Sequence, residues 1–493
     1  MDQTGTEEQA IELRTNAAVS FMLPRAAVHA FAPYTYFVIV MALLFGGGTR
    51  QGLWSDVIVQ LAALPLFAWA LFKLAPRRLP RSAQFGLVLL CAILALPLVQ
   101  LIPLPPRLWG ALAGRGEIAS AYKAANMQLP WLPLSLDPVA TWRGLLSLLP
   151  ATAIFLATLS LDRAGRRISI GLVLAIVLLS VPLDLMQLMG GRDSPLRFYA
   201  ITNVDRAVGF FANANHDAAF LYCAIPFAAA WAIGLMREQN DYRRLGIFVL
   251  LVLLAVVVIG VAGTHSRAGM ALAIGAGFSC LLLIWRSSYG QIGRRLLAYG
   301  VAANLVALLI AFQFGFTSMM GRLEDADVIQ DLRWPIAQVT TQAALANMPF
   351  GTGFGTFVPV YQMFAPRTLL LDKYVNHAHD DWLELWLTGG IPGLALAICF
   401  LVWFGISTFS LWRSDPPGAP TLDTALARAA SIVVVLLLLH STVDYPMRTI
   451  ALTVLFAICC ALMAPSGEID RDFESTGDEK IPRLDAVPAQ RLS

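Results

Sequence analysis

The sequence predicts an all-α membrane protein of about twelve transmembrane helices, with a large outer loop containing short helices. Three observations carry this. First, 57% of the 493 residues are hydrophobic and only 14% are charged, against roughly 25% charged in an ordinary soluble chain, and the mean hydropathy is +0.66. Second, the apolar residues gather into recurrent runs near the length of about 20 residues that crosses a bilayer. Third, basic residues crowd every second gap between runs. This composition excludes a soluble enzyme, a disordered chain and a nucleic-acid binder. Runs that are continuously apolar, not alternating, exclude an outer-membrane barrel.

Taken in order, the runs cover about 33–48, 53–73, 83–102, 144–161, 168–189, 209–236, 245–262, 268–285, 296–316, 382–411, 429–443 and 449–464. Residues 1–30 form an amino-terminal segment whose Glu7, Glu8 and Glu12 do not suit a cleavable signal peptide. The membrane domain spans 31–464, and the charged, proline-containing residues 465–493 read as a disordered tail. With the amino terminus in the cytoplasm, the inner loops hold Lys73, Arg77, Arg78 and Arg81; Arg163, Arg166 and Arg167; Arg237, Arg243 and Arg244; Arg286, Arg294 and Arg295; and Arg413 and Arg428. That alternation follows the positive-inside rule and places both termini in the cytoplasm. Cys91, Cys223, Cys280, Cys399, Cys459 and Cys460 all lie in apolar runs without metal-ligand spacing, so they read as lipid-phase thiols, neither disulfides nor ligands.

Two outer segments are long. Residues 103–143 carry several prolines with Trp109, Trp131 and Trp142, the composition of a shaped loop beside the membrane. Residues 317–381 are the largest soluble piece, with a helix expected over about 328–347.

Ionisable residues at a lipid boundary are costly and default to functional candidates, and here they cluster at the outer ends of the runs. The first cluster, Asp205-Arg206 followed by Asn213, Asn215, His216 and Asp217, reads as a polar lining near a substrate head group or as an interfacial cap. The second, Thr264-His265-Ser266-Arg267, puts Arg267 at a helix amino terminus, where backbone N–H groups also favour an anion. The third is Arg333-Trp334, followed by Gly351-Thr-Gly-Phe-Gly355. Those glycines lack the flanking strand and helix of a nucleotide-binding loop and read as a turn. The fourth, Asn376-His377-Ala-His379-Asp380-Asp381-Trp382-Leu-Glu384, opens like a metallo-hydrolase run but has Trp382 where the closing His belongs. An acid/base role suits it better than a metal, with a polar helix cap as the plainer alternative, and no cofactor is expected. In a fifth cluster, His440 to Arg448, Asp444 and Arg448 read as an ion pair or as part of the same cavity.

In the order of these elements the chain resembles the O-antigen ligase and O-antigen polymerase superfamily of bacterial membrane proteins. The resemblance is carried by Gly-Phe-Phe-Ala-Asn-Ala-Asn-His at 209–216, Thr-His-Ser-Arg-Ala at 264–268, Arg333-Trp334 leading to the glycine turn, and His379-Asp-Asp-Trp-Leu-Glu-Leu-Trp-Leu-Thr-Gly-Gly-Ile-Pro-Gly393. The usual pattern has His-Asn where this chain has His379-Asp380. The resemblance implies transfer of a glycan from an undecaprenyl-pyrophosphate carrier to a lipid or polysaccharide acceptor on the periplasmic side, without metal or nucleotide. It implies that Arg267 and Arg333 hold the pyrophosphate and that His379 is the catalytic base. Arg206, His377, Asn215, His216, Asp380, Glu384 and Arg448 are the further candidates for substrate contact. The runner-up readings are a capsule or exopolysaccharide repeat-unit polymerase of the same superfamily and, from another class, a secondary transporter, which would place its polar sites at mid-membrane.

Overall fold

A computed structural model describes residues 25–75, 79–237, 243–287, 332–369, 375–413 and 421–464, with isolated positions between 297 and 309. Among the described residues the chain is helical apart from one small ribbon. The first helices are α1 (Arg25–Phe45), α2 (Trp54–Leu74) and α3 (Arg81–Gln100). The first outer segment follows: β1 (Pro103–Leu104), α4 (Pro106–Gly110), α5 (Gly116–Ala124), β2 (Leu132–Pro133) antiparallel to β1, and α6 (Pro138–Ser147). Then come α7 (Leu149–Ser160), α8 (Arg163–Met189), α9 (Ala214–Arg237), α10 (Arg243–Gly263) and α11 (Arg267–Ser287). The second outer segment holds α12 (Arg333–Ala346) and α13 (Phe357–Phe364), and the chain re-enters the bundle through α14 (Asp381–Arg413), α15 (Leu422–His440) and α16 (Ile450–Leu462).

The protein is a multi-pass membrane protein: among the described residues eight helical segments are long and apolar enough to cross a membrane, with shorter apolar helices at Ala30–Phe45, Phe248–Gly263 and Ile450–Leu462. The run expected at 296–316 lies largely outside the described residues, as do 317–331 and the two terminal segments. Element boundaries differ from the sequence reading where caps act. Helix α9 begins at Ala214, after the phenylalanines of 209–216, and α15 begins seven residues before the run at 429, capped by Thr421 accepting from the Thr424 amide.

Helix α9 sits among α10, α11 and α15, and its residues Ala218 to Ala224 are fully buried. A helix apolar all round belongs at the centre of a bundle. Helix α2 packs on α7, and α16 on α7 and α15. A second, smaller core lies outside this bundle: Ile336, Val339 and Ala343 of α12 meet Phe357, Val360 and Tyr361 of α13, with Ala378 and Leu387. It fixes the segment carrying His377 and His379 over the start of α14.

Helix α14 is broken at Gly390, about two and a half turns from its start. Gly390 has φ 59° and ψ −152°, a region open only to glycine. The glycine turn supplies partners for the freed backbone: the Thr352 amide donates to Leu387 O at 3.0 Å, the Gly353 amide to Thr388 O at 3.0 Å, and the Ile391 amide to Pro349 O at 2.8 Å. Non-helical backbone at the membrane is tolerated only where protein satisfies it. A Cβ on Gly351 would lie 2.6 Å from the Gly390 nitrogen, so Gly351-Thr-Gly-Phe-Gly355 is the splint of a broken helix.

Candidate active site

The site forms where four segments converge: the loop after α1, the loop before α9, the 376–384 segment and the loop 441–449. Loop 441–449 is stapled to α14 by Asp381. Its carboxylate accepts from Ser441 Oγ at 2.9 Å, from the Met447 amide at 3.1 Å and from Arg448 Nε at 3.0 Å, while its own amide donates to Ser441 O at 2.9 Å. Arg448 also lies 3.5 Å from Glu384. Burial works against the Arg448 charge, but Glu384 and Asp381 outweigh it and raise its pKa. The expected Asp444–Arg448 ion pair is therefore not formed: Arg448 turns to the carboxylates of α14, which a fold bringing two loops together makes nearer.

Asp444 turns the other way. Its Oδ1 lies 3.3 Å from His379 Nδ1, and its Oδ2 accepts from the Asn215 side-chain amide. Burial alone would raise the Asp444 carboxyl, but the His379 hydrogen bond and the histidines His379, His216 and His440 hold it well below the usual carboxylate range. So the carboxylate that orients His379 comes from a loop 65 residues away, not from its sequence neighbours Asp381 or Glu384. His379 itself has φ 53°, uncommon for a residue other than glycine. Such backbone strain costs about 1–3 kcal/mol and persists where surroundings over-determine it.

His377 occupies a different place. Its Nδ1 lies 3.1 Å from both Glu384 oxygens, and its Nε2 lies 3.0 Å from Thr49 O. Both partners are acceptors. His377 and His379 thus have separate partner sets, unlike the paired ligands of a metallo-hydrolase run. Among the described residues no group of three or more His, Cys, Asp or Glu stands together as a metal site.

Tyr445 joins the two halves. Its ring centroid is 4.5 Å from that of His377, 4.9 Å from His379 and 4.8 Å from His216. Its hydroxyl accepts from Asn213 and Asn376. Burial, with the Asp444 charge beside it, raises its pKa, so the phenol stays neutral.

The remaining sequence candidates divide. Asn215 and His216 join the site, positioned by Gln187 of α8, whose side chain accepts from the Val208 and Gly209 amides at 3.1 Å. Asp380 caps α14, accepting from the Trp382 and Leu383 amides at 2.9 and 3.0 Å, so its visible role is that of a helix cap. Arg333 opens α12, within electrostatic reach of His440, and its Nε is buried without a hydrogen bond. Arg267 opens α11, exposed at the bundle edge. Arg206 is half-buried in the loop before α9, where its carbonyl accepts from Arg197 at 2.9 Å.

Two cavities, of about 560 and 380 Å³, lie against this constellation and share Thr49, Arg50, Gln51, Arg143, His377 and Glu384 in their walls. The larger one also reaches Asp381 and Arg448. Arg50 and Arg143 were missed in the sequence reading, where Arg50 is a single charge in a short gap between runs and Arg143 is the last residue of the long segment 103–143. The available signal was the run of glycines at 46–48: a Cβ on Gly47 would lie 2.2 Å from Phe210 O, so that loop is pressed onto the loop before α9.

Residues 250–398 match the model of the family described as O-antigen ligase. No curated protein matches the chain. The matched stretch contains His377, His379, Asp381 and Glu384, whereas Asn215, Asp444 and Arg448 complete the site from outside it. The likeness to an O-antigen ligase family domain thus covers residues 250–398 of the chain.

Proposed function

We propose that this protein transfers a glycan from an undecaprenyl-pyrophosphate carrier to an acceptor hydroxyl of a lipid or polysaccharide at the periplasmic face of the inner membrane, without a metal. The observation that carries this reading is the His379–Asp444 pair, built at the mouth of an O-antigen ligase domain. Asp444, ionised, can only accept a hydrogen bond, so it favours the tautomer with the proton on His379 Nδ1 and leaves Nε2 as the base. The acceptor O–H gives its proton to Nε2 as its oxygen bonds to the anomeric carbon. The bond from that carbon to the pyrophosphate breaks, and its electron pair leaves on the phosphate oxygen. A single displacement of this kind inverts the anomeric centre. Cations fixed in advance lower the cost of the leaving charge, a role we assign to Arg333 and Arg267.

The low pKa of Asp444 has a sign. Its charge, and the order it gives His379, are present above the ordinary carboxylate value of about 3.9 and are lost only as pH falls through the lower folded value. Asp444 therefore stays ionised over the whole neutral range.

Two experiments bear on this reading. Reporter fusions at about residue 355 are expected to read periplasmic and those at about 240 cytoplasmic, following the basic inner loops; the reverse would place the site beside the cytosol and remove the reading. Arg333→Ala, at unchanged protein level in membranes, is expected to lower transfer at least tenfold, and Arg267→Lys to impair it by loss of the planar fork. Full activity in both would leave the pyrophosphate to other cations.

A further inference from the structure

His377 and His379 stand two residues apart, yet their ring nitrogens are used in opposite ways. His379 gives one nitrogen to Asp444. His377 has both engaged: Nδ1 lies 3.1 Å from each Glu384 oxygen and Nε2 lies 3.0 Å from Thr49 O. A backbone carbonyl can only accept, so Nε2 needs a hydrogen. Glu384 is a carboxylate with donors on its other sides. The Ala378 amide donates to Oε2 at 3.0 Å, and Arg448 stands 3.5 Å from Oε1. It too accepts, so Nδ1 needs a hydrogen as well. A neutral imidazole carries only one and would turn a lone pair toward an oxygen. His377 and Glu384 are both buried, where no water relieves two acceptors set face to face.

We infer that His377 is held as an imidazolium and is a positioning residue, clamping the loop after α1 to the start of α14, rather than a second base. In this state Asp381, Arg448, Glu384 and His377 form a chain of alternating charge, so each buried ion has an opposite neighbour. Asp444 is taken by His379 and Asn215. Arg50, Arg143, Asp137 and Asp56 line the adjoining cavities and take neither His377 nitrogen. What the clamp holds is the glycine loop. Three of its carbonyls each accept from a different part of the site: Gly46 O from the Ala451 amide at 2.9 Å, Gly47 O from the Ala212 amide at 3.0 Å, and Thr49 O from His377. Asn376 also donates to Thr49 O, at 3.4 Å. The loop thereby sets the start of α16, the approach to α9 and the 376–384 segment in register. Of these bonds the one from His377 has a charged donor, and charge-assisted hydrogen bonds are roughly twice as strong as neutral ones. The segment it fixes also carries His379, so the clamp sets where the proposed base stands.

The test is nitrogen NMR of purified full-length protein in nanodiscs, with its six histidines labelled, at neutral pH and without substrate. The wild type is expected to show a histidine with hydrogen on both ring nitrogens. That signal should be missing from His377→Gln and kept in His379→Asn, whereas the signal lost in His379→Asn should have one bare nitrogen. A bare nitrogen on the signal lost in His377→Gln would overturn the inference and leave His377 free to act as a base. If His377→Gln does not fold, variants of the other five histidines assign the His377 signal by elimination. Resting on the glycan-transfer reading, His377→Gln, which keeps a donor but no charge, is expected to lower transfer at least tenfold and to displace the His379 signal. Transfer at the wild-type rate with that signal unmoved would remove the clamp. The spectrum needs no turnover. A doubly protonated His377 in a protein that transfers no glycan sinks the transfer reading alone; a bare nitrogen in an active enzyme sinks the clamp alone.

Discussion

His379→Ala is expected to lower glycan transfer by roughly 10²–10⁴-fold, the usual contribution of a positioned general base, while the protein stays folded. The structure gives the reason for both halves. The start of α14 is held by Asp380 and Asp381, which bond backbone amides and Arg448, so removing the imidazole leaves that scaffold in place. Alanine does carry a cost at φ 53°, and His379→Asn is the better control, because asparagine tolerates the left-handed region. Both variants should elute as wild type in detergent and retain its thermal transition within a few degrees. Asp444→Asn is expected to follow them in activity, since an amide no longer selects the tautomer. Normal turnover in His379→Asn would move the base elsewhere, with His377 the next residue to test.

Arg448→Leu is expected to act on stability. It leaves Asp381 and Glu384 buried without their guanidinium. Removing one partner of a buried ion pair costs about 3–5 kcal/mol, because the remaining charge is stranded. The loss should appear as a lowered unfolding transition in detergent, with activity falling in parallel as loop 441–449 comes away from α14 and takes Asp444 and Tyr445 with it. A transition unchanged from wild type would mean that Asp381 is held by Ser441 and the Met447 amide alone.

The membrane helices were legible because apolar runs of bilayer length dominate their local energetics. The glycine turn was read as a turn, but its purpose was hidden. Its partners are the carbonyls of Leu387 and Thr388 in a helix whose break at Gly390 has no local signature beyond Gly389-Gly390 and Pro392. The residue types of the site were legible as polar groups at outer helix ends, yet their pairing was not. Sequence proximity suggested Glu384 or Asp381 for His379 and Asp444 for Arg448. The folded chain exchanges these partners: in loop 441–449 Asp444 meets His379 and Asn215, and Arg448 meets Asp381 and Glu384. Asp380, a candidate for substrate contact in a cluster that also read as a polar cap, accepts from the Trp382 and Leu383 amides at the start of α14. Arg50 and Arg143 carried no pattern at all, since only tertiary packing of the loop after α1 against α6 brings them into one cavity.

The measurement that tests the account most directly follows both products of the reaction in purified wild-type protein supplied with an undecaprenyl-pyrophosphate glycan of known anomeric configuration and an acceptor. The expected result is release of undecaprenyl pyrophosphate in step with glycan transferred, inversion at the anomeric carbon, no effect of added chelator, and loss of both products in His379→Asn. Retention of configuration would contradict the single displacement, because it requires a covalent intermediate; inhibition by chelator would contradict the metal-free site; and transfer by His379→Asn at the wild-type rate would contradict the His379–Asp444 base.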